Sequence, residues 1–574
     1  MRQRRRRGLR QGTLEALEPR WLLTTIDFEY DPLADPDPLT DGADLTLRIV
    51  DDDGPVLQLF DNDSSSPVGS ANFSEDIIVN IIGGELADRL TIDFHRGALN
   101  PTAVNIDVNV DGIDETVPLL FEDVIEIKPS GATLYSPSTL DVTLTNGDEI
   151  NVAGDLAVSG NVTLTANGST INVTSGASIV TGGDITLAAN ATKTGEADGD
   201  EPTKVIAFPS AEINVSGGTL TGANISLAAT ATVDLEVTSA DLLSGSITVG
   251  EVLAISSAAV TVDGASTITA SGNLTISATS NVTTEVTRAP EDDGDAGDTD
   301  TDEDAAIAAS VVTSDANVTI GGTSLLSAGG TADILATNTV NVQTKADGQL
   351  GGDFGGGTLA TSVVLGDTEV LVQDTASITA AGDVSLTATS DRTVTTEAIA
   401  TSGGATEDGN AGTTTEGQQA LTDNDAETAD GDLSLAAAVA VTTLTGNTSA
   451  LVAGGTVTSS SGNLKIESSG KHTVSTVADA TATSGDSGTG VGVGAAISVV
   501  SADSSAAIGG SASLNAAAVN VNGTIPASTA KVEAKSGPSG DSSGADVGVA
   551  GALAINVVTT GAEAFIASGS TADL

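Results

Sequence analysis

Ser266–Ala278 reads S-T-I-T-A-S-G-N-L-T-I-S-A: two short alternating segments, Thr267–Thr269 and Leu274–Ile276, flanking a small-residue turn that ends at Asn273. Alternation with a period of two puts Ile268 and Ala270, then Leu274 and Ile276, on one face of a strand. The pattern returns at Ala177–Ala189 around Asp184, Gly218–Ala229 around Asn224, and Thr323–Ala336 around Asp333. It comes again at Ala376–Ala388 around Asp383, Gly455–Ser468 around Asn463, and Ser511–Asn522, where Ala518 takes the Asx place. Gly and Asx accept positive φ, and an Asx side chain bonds nearby backbone amides, so each copy reads as strand, turn, strand. The recurring Asx is therefore a turn former before it is a ligand. The chain is a repeat protein.

A second landmark sets the period. Val312 is followed eight residues later by the strand end Ile320, and the same relation links Val364 to Val372, Leu444 to Val452, Val500 to Ile508 and Val558 to Ile566. Weaker copies link Ala254 to Val262 and Ala207 to Val215. No 3.6-residue apolar stripe is present, and the strands read as three to five residues long, too closely spaced for βαβ units. Allowing roughly 18–20 residues for three short strands and three turns, each period of about 50–60 residues would hold three rungs. The expected fold is an all-β, right-handed parallel β-solenoid over 146–574, with aliphatic ladders inside and Thr, Ser and Asn outside. An immunoglobulin-like array is the structural alternative. It wants a buried Trp and longer strands, and the single Trp is Trp21.

Composition agrees with thin stacked layers. Aromatics make up 2% of the 574 residues, Gly numbers 66 and Cys is absent, which removes disulfides and thiolate chemistry. A hydrophobic share of 39% is too high for simple disorder. Residues 26–145 differ, holding both Tyr (30 and 135) and Phe28, Phe60, Phe73, Phe94 and Phe121. Strands are expected there at Leu45–Val50, Val56–Phe60, Ile77–Ile82, Leu90–Phe94 and Val104–Val110. Because a repeat stack needs an atypical first unit, this segment is expected to be a β-rich cap. At the other end, Gly561–Leu574 stops within a repeat, which reads as a fragment or an open last rung.

Charge divides the chain. Residues 1–25 carry a net +5, leaving −63 for the rest of a chain whose total is −58. So acidic a body repels nucleic acid and anionic lipid. No apolar run reaches 18 residues, so no transmembrane helix is expected. Acid-rich, glycine-rich insertions fall at one phase of the repeat: Lys193–Thr203, Arg288–Asp304, Gly348–Gly357, Gly403–Asp432, Ser484–Gly490 and Ser536–Ala545. Insertions that share a phase emerge along one side of a stack. Nine carboxylates lie in Glu291–Asp304, and hard oxygen ligands of this kind suit calcium. Asp293, Asp295, Asp298, Asp300 and Asp302 are the candidate ligands, although the spacing fits neither an EF-hand loop nor a glycine-rich nonapeptide. No other cofactor is required by any motif.

Catalytic signals are sparse. The two His, His95 and His472, lie far apart and read as surface or strand-face residues rather than a triad or metal site. Paired carboxylates for glycoside hydrolysis exist in abundance, but aromatic platforms and cationic clamps beside them do not.

The N-terminus carries the one family signal. Leu17-Glu18-Pro19-Arg20-Trp21-Leu22-Leu23, behind an Arg-rich stretch, resembles the N-terminal motif of the LEPR-XLL family of large repetitive bacterial proteins. Every fixed position matches: Leu17, Glu18, Pro19, Arg20, Leu22 and Leu23. The resemblance covers only residues 1–25. It implies a targeting segment and export to the cell surface, and no chemistry. The expected function is that of an exported, non-enzymatic, adhesin-like or cell-envelope shaft, with surface or matrix components, polysaccharide among them, or its own copies as partners. The competing classes are a carbohydrate-active β-helix enzyme and a cytoplasmic protein with a nucleic-acid-binding basic arm.

Overall fold

The computed structural model describes residues 23–29, 44–51, 55–61, 66–72, 76–82, 89–93, 100–101, 105–111, 124–128, 135–145, 149–168, 170–198, 203–238, 247–288, 305–350, 356–402, 433–482, 489–538 and 547–573. These residues are all-β, with no helix, and form a β-solenoid. Three sheets of mostly parallel strands build it, the front and back sheets from the start and the edge sheet from Asp155 onward. The front sheet has 13 strands, ending in two that lie end to end on Leu464–Ala482. The back sheet stacks on the same axis, and an edge sheet of nine short strands closes one side. At about 4.8 Å per coil the front sheet extends roughly 50 Å.

The opening stretch shows one coil in miniature. The chain comes down the back strand Ile247–Asp263, crosses the edge strand Thr267–Ala270 and turns at Asn273 into the front strand Leu274–Arg288. It returns to the back sheet at Ala305–Ile320. Inward residues alternate without interruption: Ile268, Ala270, Leu274, Ile276 and Ala278 are all buried. Each stacks on its equivalent one coil away, as Ile268 does on Leu220 and Leu326. Burying one such side chain contributes on the order of 1.5–3 kcal/mol, so the column is the source of stability and the turn only directs it.

The repeat period is one coil, not three. Ala207 pairs with Ala254, Ala254 with Val312, Val312 with Val364, Val364 with Leu444, Leu444 with Val500 and Val500 with Val558. These landmarks are successive floors of one column. The estimate of three rungs assumed short strands throughout, whereas front and back strands lengthen to 19 and 20 residues. Only the early coils are narrow: Thr139–Thr145 and Val162–Asn167 are seven and six residues long, against 14 for Ile185–Asp198. From Ile185 onward the long halves of the front and back strands extend past the first core and pack on each other. A second core results, built from Val233, Val252, Val312, Val342, Val364, Val394 and Leu444 among others.

Inside that second lobe the rule of Thr and Ser outside fails. Thr344 Oγ1 donates to Ser310 Oγ at 2.7 Å, Ser362 to Thr344 at 2.9 Å, and Thr396 to Ser362 at 2.7 Å. Thr442 donates to Thr396 and Thr476 to Thr442, both at 2.7 Å. All six hydroxyls are buried, and they alternate between back and front strands, so each satisfies the next. A shorter chain, Ser256–Ser280–Ser314–Asn338, marks the neck between the lobes. Small hydroxylated side chains let two sheets approach where Leu or Ile would hold them apart.

The Asx turns form a ladder of their own. Asp184 N–H donates to Asn161 Oδ1, Asn224 N–H to Asp184 Oδ1, and Asn273 N–H to Asn224 Oδ1, at 2.9–3.0 Å. Asn463 N–H donates to Asp383 Oδ1 at 2.7 Å. The Asx side chain thus bonds the next coil's amide rather than one two residues on. In one coil Thr331, not Asp333, holds this place, for Thr331 N–H donates to Asn273 Oδ1. Asp333 lies within the following strand, opposite Thr275.

The aromatic-rich segment enters the same stack. Leu23–Glu29, Asp76–Ile82, Asn105–Asp111 and Thr139–Thr145 are successive front-sheet strands. Asp44–Asp51, Pro55–Asp61 and Pro67–Asn72 add antiparallel pairs to the back sheet. The strands expected at Leu45–Val50, Val56–Phe60, Ile77–Ile82, Leu90–Phe94 and Val104–Val110 all appear to within a residue or so. No helix among the described residues is long and apolar enough to cross a membrane.

Candidate functional surfaces and buried charges

The coil path separates two edges. Every long connection, 239–246, 289–304, 351–355, 403–432, 483–488 and 539–546, leads from the end of a front strand to the start of a back strand. The edge sheet joins the other ends of those strands. Acid-rich sequence is thus confined to one phase of the coil, and the edge sheet occupies the opposite phase.

The middle strands of the edge sheet are uncharged in a chain carrying −58, while its two end strands carry Asp155 and Asp573. From Ser178–Thr181 through Thr219–Gly222, Thr267–Ala270, Leu325–Ala328, Ser377–Ala380, Thr456–Ser459 and Ser513–Asn515 it contains no Asp, Glu, Lys or Arg. Two outward columns run across five of these coils: Thr219, Thr267, Leu325, Ser377, Thr456 and Thr221, Thr269, Ser327, Thr379, Thr458. Nine of the ten positions are hydroxyls. Strand geometry spaces them at about 4.8 Å across coils and about 6.6 Å along a strand. The face is an uncharged, regularly hydroxylated strip.

The calcium candidates Asp293, Asp295, Asp298, Asp300 and Asp302 lie outside the described residues, as do Leu17, Glu18, Pro19, Arg20, Leu22 and His95. Leu23 opens the first front strand. Among the described residues no group of three or more His, Cys, Asp or Glu side chains could hold a metal.

A charged cluster sits toward the far end of the front sheet. Lys345 and Glu397 are lateral partners, as are Asp479 and Lys535. Lys345 Nζ lies 3.1 Å from Asp347, and Lys535 Nζ 3.5 Å from Asp479. Burial pushes the Glu397 carboxyl above its ordinary range against the pull of Lys345, and Asp347 and Asp479 add to the rise. Burial works to lower the Lys345 ammonium, but Asp347 and Glu397 outweigh it and leave it raised.

No family model, curated protein or solved structure matches the chain. Its chemistry has to be read from its own side chains.

Three basic side chains point inward. Arg288, Arg392 and His472 all fall on the buried parity of their strands, at 1%, 0% and 2% exposure. His472 was expected on a surface or strand face; instead it stacks in the neck, one coil from Arg392 in the same column. Arg392 Nη2 donates to the Gly366 carbonyl at 2.7 Å, while its Nε and Nη1 have no partner. Neither ring nitrogen of His472 has one. Burial holds the Arg392 guanidinium down at about 10, with Asp367 and Asp315 opposing. Burial likewise holds the His472 imidazole at about 4, helped by the nearby Arg392 charge and opposed by Asp391. Sequence parity alone carried this signal. In Val384–Ser402 the even positions hold Val384, Leu386 and Ala388 inward, and Arg392 is on that series.

A stability consequence follows. His472 binds its proton more weakly in the folded chain than in the unfolded one, where the value is about 6.5. Its contribution is therefore complete above that value, declines as pH falls toward about 4, and is flat below. The linkage amounts to at most about 3 kcal/mol. Urea midpoints measured from pH 7 to pH 4 should fall more steeply for the wild type than for His472→Phe. Parallel curves would remove His472 from the acid response.

Proposed function

We propose that the chain is a non-enzymatic shaft of a bacterial cell surface or extracellular matrix, and that its edge sheet is the face that meets neutral matrix polysaccharide. The single observation behind this reading is the uncharged strip of Thr and Ser hydroxyls on an otherwise strongly acidic molecule. A partner bearing hydroxyls can hydrogen-bond to such a face without overcoming like-charge repulsion, whereas an anionic partner would be excluded from the rest of the surface. The resemblance at Leu17–Leu23 supports export. Calcium is proposed as a counter-ion of the acid-rich connections, Asp293–Asp302 included.

The test is retention of the purified chain on insoluble neutral polysaccharides, with and without added calcium. Wild type should bind, and Thr269→Glu combined with Thr379→Glu should abolish binding while leaving the melting temperature nearly unchanged, since both side chains point outward. Equal retention of the two proteins would sink the edge-sheet reading. The second reading, a carbohydrate-active enzyme, is favoured by the raised Glu397 carboxyl beside Asp479 and Lys345. It predicts that soluble sugars are released in the same assay and that Glu397→Gln stops the release.

A further inference from the structure

We infer that the Thr and Ser strip of the edge sheet binds the surface of ice. Its two outward columns are Thr219, Thr267, Leu325, Ser377, Thr456 and Thr221, Thr269, Ser327, Thr379, Thr458, and coil pairs with coil residue on residue, without a slip. Strand geometry sets one repeat at about 4.8 Å between coils and the other at about 6.6 Å between alternate residues of a strand. Both lie close to repeats of the oxygen lattice of hexagonal ice, so hydroxyls on this grid meet successive lattice positions. A flexible polysaccharide chain makes no such demand. The grid alone carries the assignment, independently of the polysaccharide reading.

The side chains suit that partner. None of the nine strip hydroxyls bonds another described group of the chain, whereas the buried hydroxyls of the second lobe bond one another at 2.7–2.9 Å. Seven of the ten positions are Thr, whose branched Cβ restricts χ1, so hydroxyl and methyl are held in place before contact. Beneath them Leu220, Ile268, Leu326, Ile378 and Val457 are buried and anchor each strand to the core. The five strands carry no Asp, Glu, Lys or Arg. A charge would orient water around itself rather than along a lattice, and a long side chain would sweep the surface. Methyl groups instead restrict the orientation of first-shell water, and the hydroxyls fix that water by hydrogen bonds. The grid has limits on both sides. One coil before it, Ser178 Oγ donates to Asp155 at 2.6 Å and Val180 takes the second column; one coil after it, Asn515 does. Five coils span roughly 20 Å, a patch that holds the protein on a growing ice front rather than seeding a new crystal. A front held between bound molecules curves, and so freezes at a lower temperature.

The test is entry of the purified chain into polycrystalline ice grown slowly from dilute solution, together with the gap between melting and freezing of a single ice crystal. Wild type should concentrate in the ice fraction, facet the crystal and open a gap. Exclusion from the ice as complete as that of a non-binding globular control, with round crystals, would overturn the inference. Thr269→Tyr combined with Thr379→Tyr breaks the grid with outward rings and should abolish both effects. Thr283→Tyr, outward on the front sheet, should leave them unchanged. If the double variant melts below the wild type, Thr269→Tyr alone serves, with a weakened ice response. Equal entry of wild type and strip variants would place the activity off the strip and defeat the assignment. Retention on insoluble neutral polysaccharide, measured on the same proteins, separates the two readings. Rings stack on sugars, so the double variant should keep or gain retention while it loses ice. Retention of the wild type without ice entry defeats ice binding alone; ice entry without retention defeats the polysaccharide reading alone.

Discussion

Ile268→Asp is expected to abolish folding of the central coils, or to cost more than about 4 kcal/mol where folding survives. Ile268 is fully buried in the edge sheet between Leu220 and Leu326 and belongs to the first core. An Asp there would either be ionised without a partner or stay protonated with its hydroxyl unsatisfied. The adjacent Thr269→Asp points outward from the same strand, and should change stability by no more than about 0.5 kcal/mol. Chemical denaturation of the pair measures the difference. Similar losses would mean that the inside and outside of the edge sheet are assigned wrongly.

Gly366→Ala should be the next most damaging change, at about 4 kcal/mol, combining backbone strain with overpacking. Gly366 has φ +131, a region that L residues avoid. A Cβ there would run into the carbonyl oxygen of Ser314 in the coil before, which is backbone and cannot turn aside. The same glycine presents its own carbonyl to Arg392, so a shift would also unseat the buried guanidinium. Thermal melting compared with Gly357→Ala, where a Cβ meets open space, isolates the effect. Equal melting temperatures would show that the coil relaxes around the extra methyl.

Much of this architecture was legible in the residues. Alternation around Asn273 identified the corner of a coil, and the valine landmarks identified columns that turn out to pair residue by residue. Width was not legible, because a period of about 50 residues is compatible with three narrow turns or one broad one. What separates them is whether Val282–Val286 or Val340–Val342 faces a sheet opposite, and alternation says only which side is buried. The same ambiguity hid the inner hydroxyls. Thr344, Thr396 and Thr476 look like solvent-facing threonines until the second sheet is laid over them. Arg392 and His472 stand as breaks in an inward series, a signal that reading His472 as a surface or strand-face residue passes over. The edge strip was written plainly as T-L-T, T-I-T, S-I-T and T-V-T, although its neutrality matters only once the acidic connections fall at the opposite phase.

The single-coil period bears on how the chain reaches this state. In the wide coils from Thr203 onward laterally paired residues are 47 to 80 positions apart, with few contacts that are near in sequence. Such a topology folds slowly, because each new floor must close a long loop before any pairing rewards it. Yet doubling a loop adds only about 0.6 kcal/mol of closure entropy, so the long connection at 403–432 hardly penalises its coil once a neighbour exists. Growth by templating on a finished floor is therefore favoured over independent nucleation in each repeat. An end already formed would act as the seed for everything after it, and the length of any connection would govern rate far more than final stability.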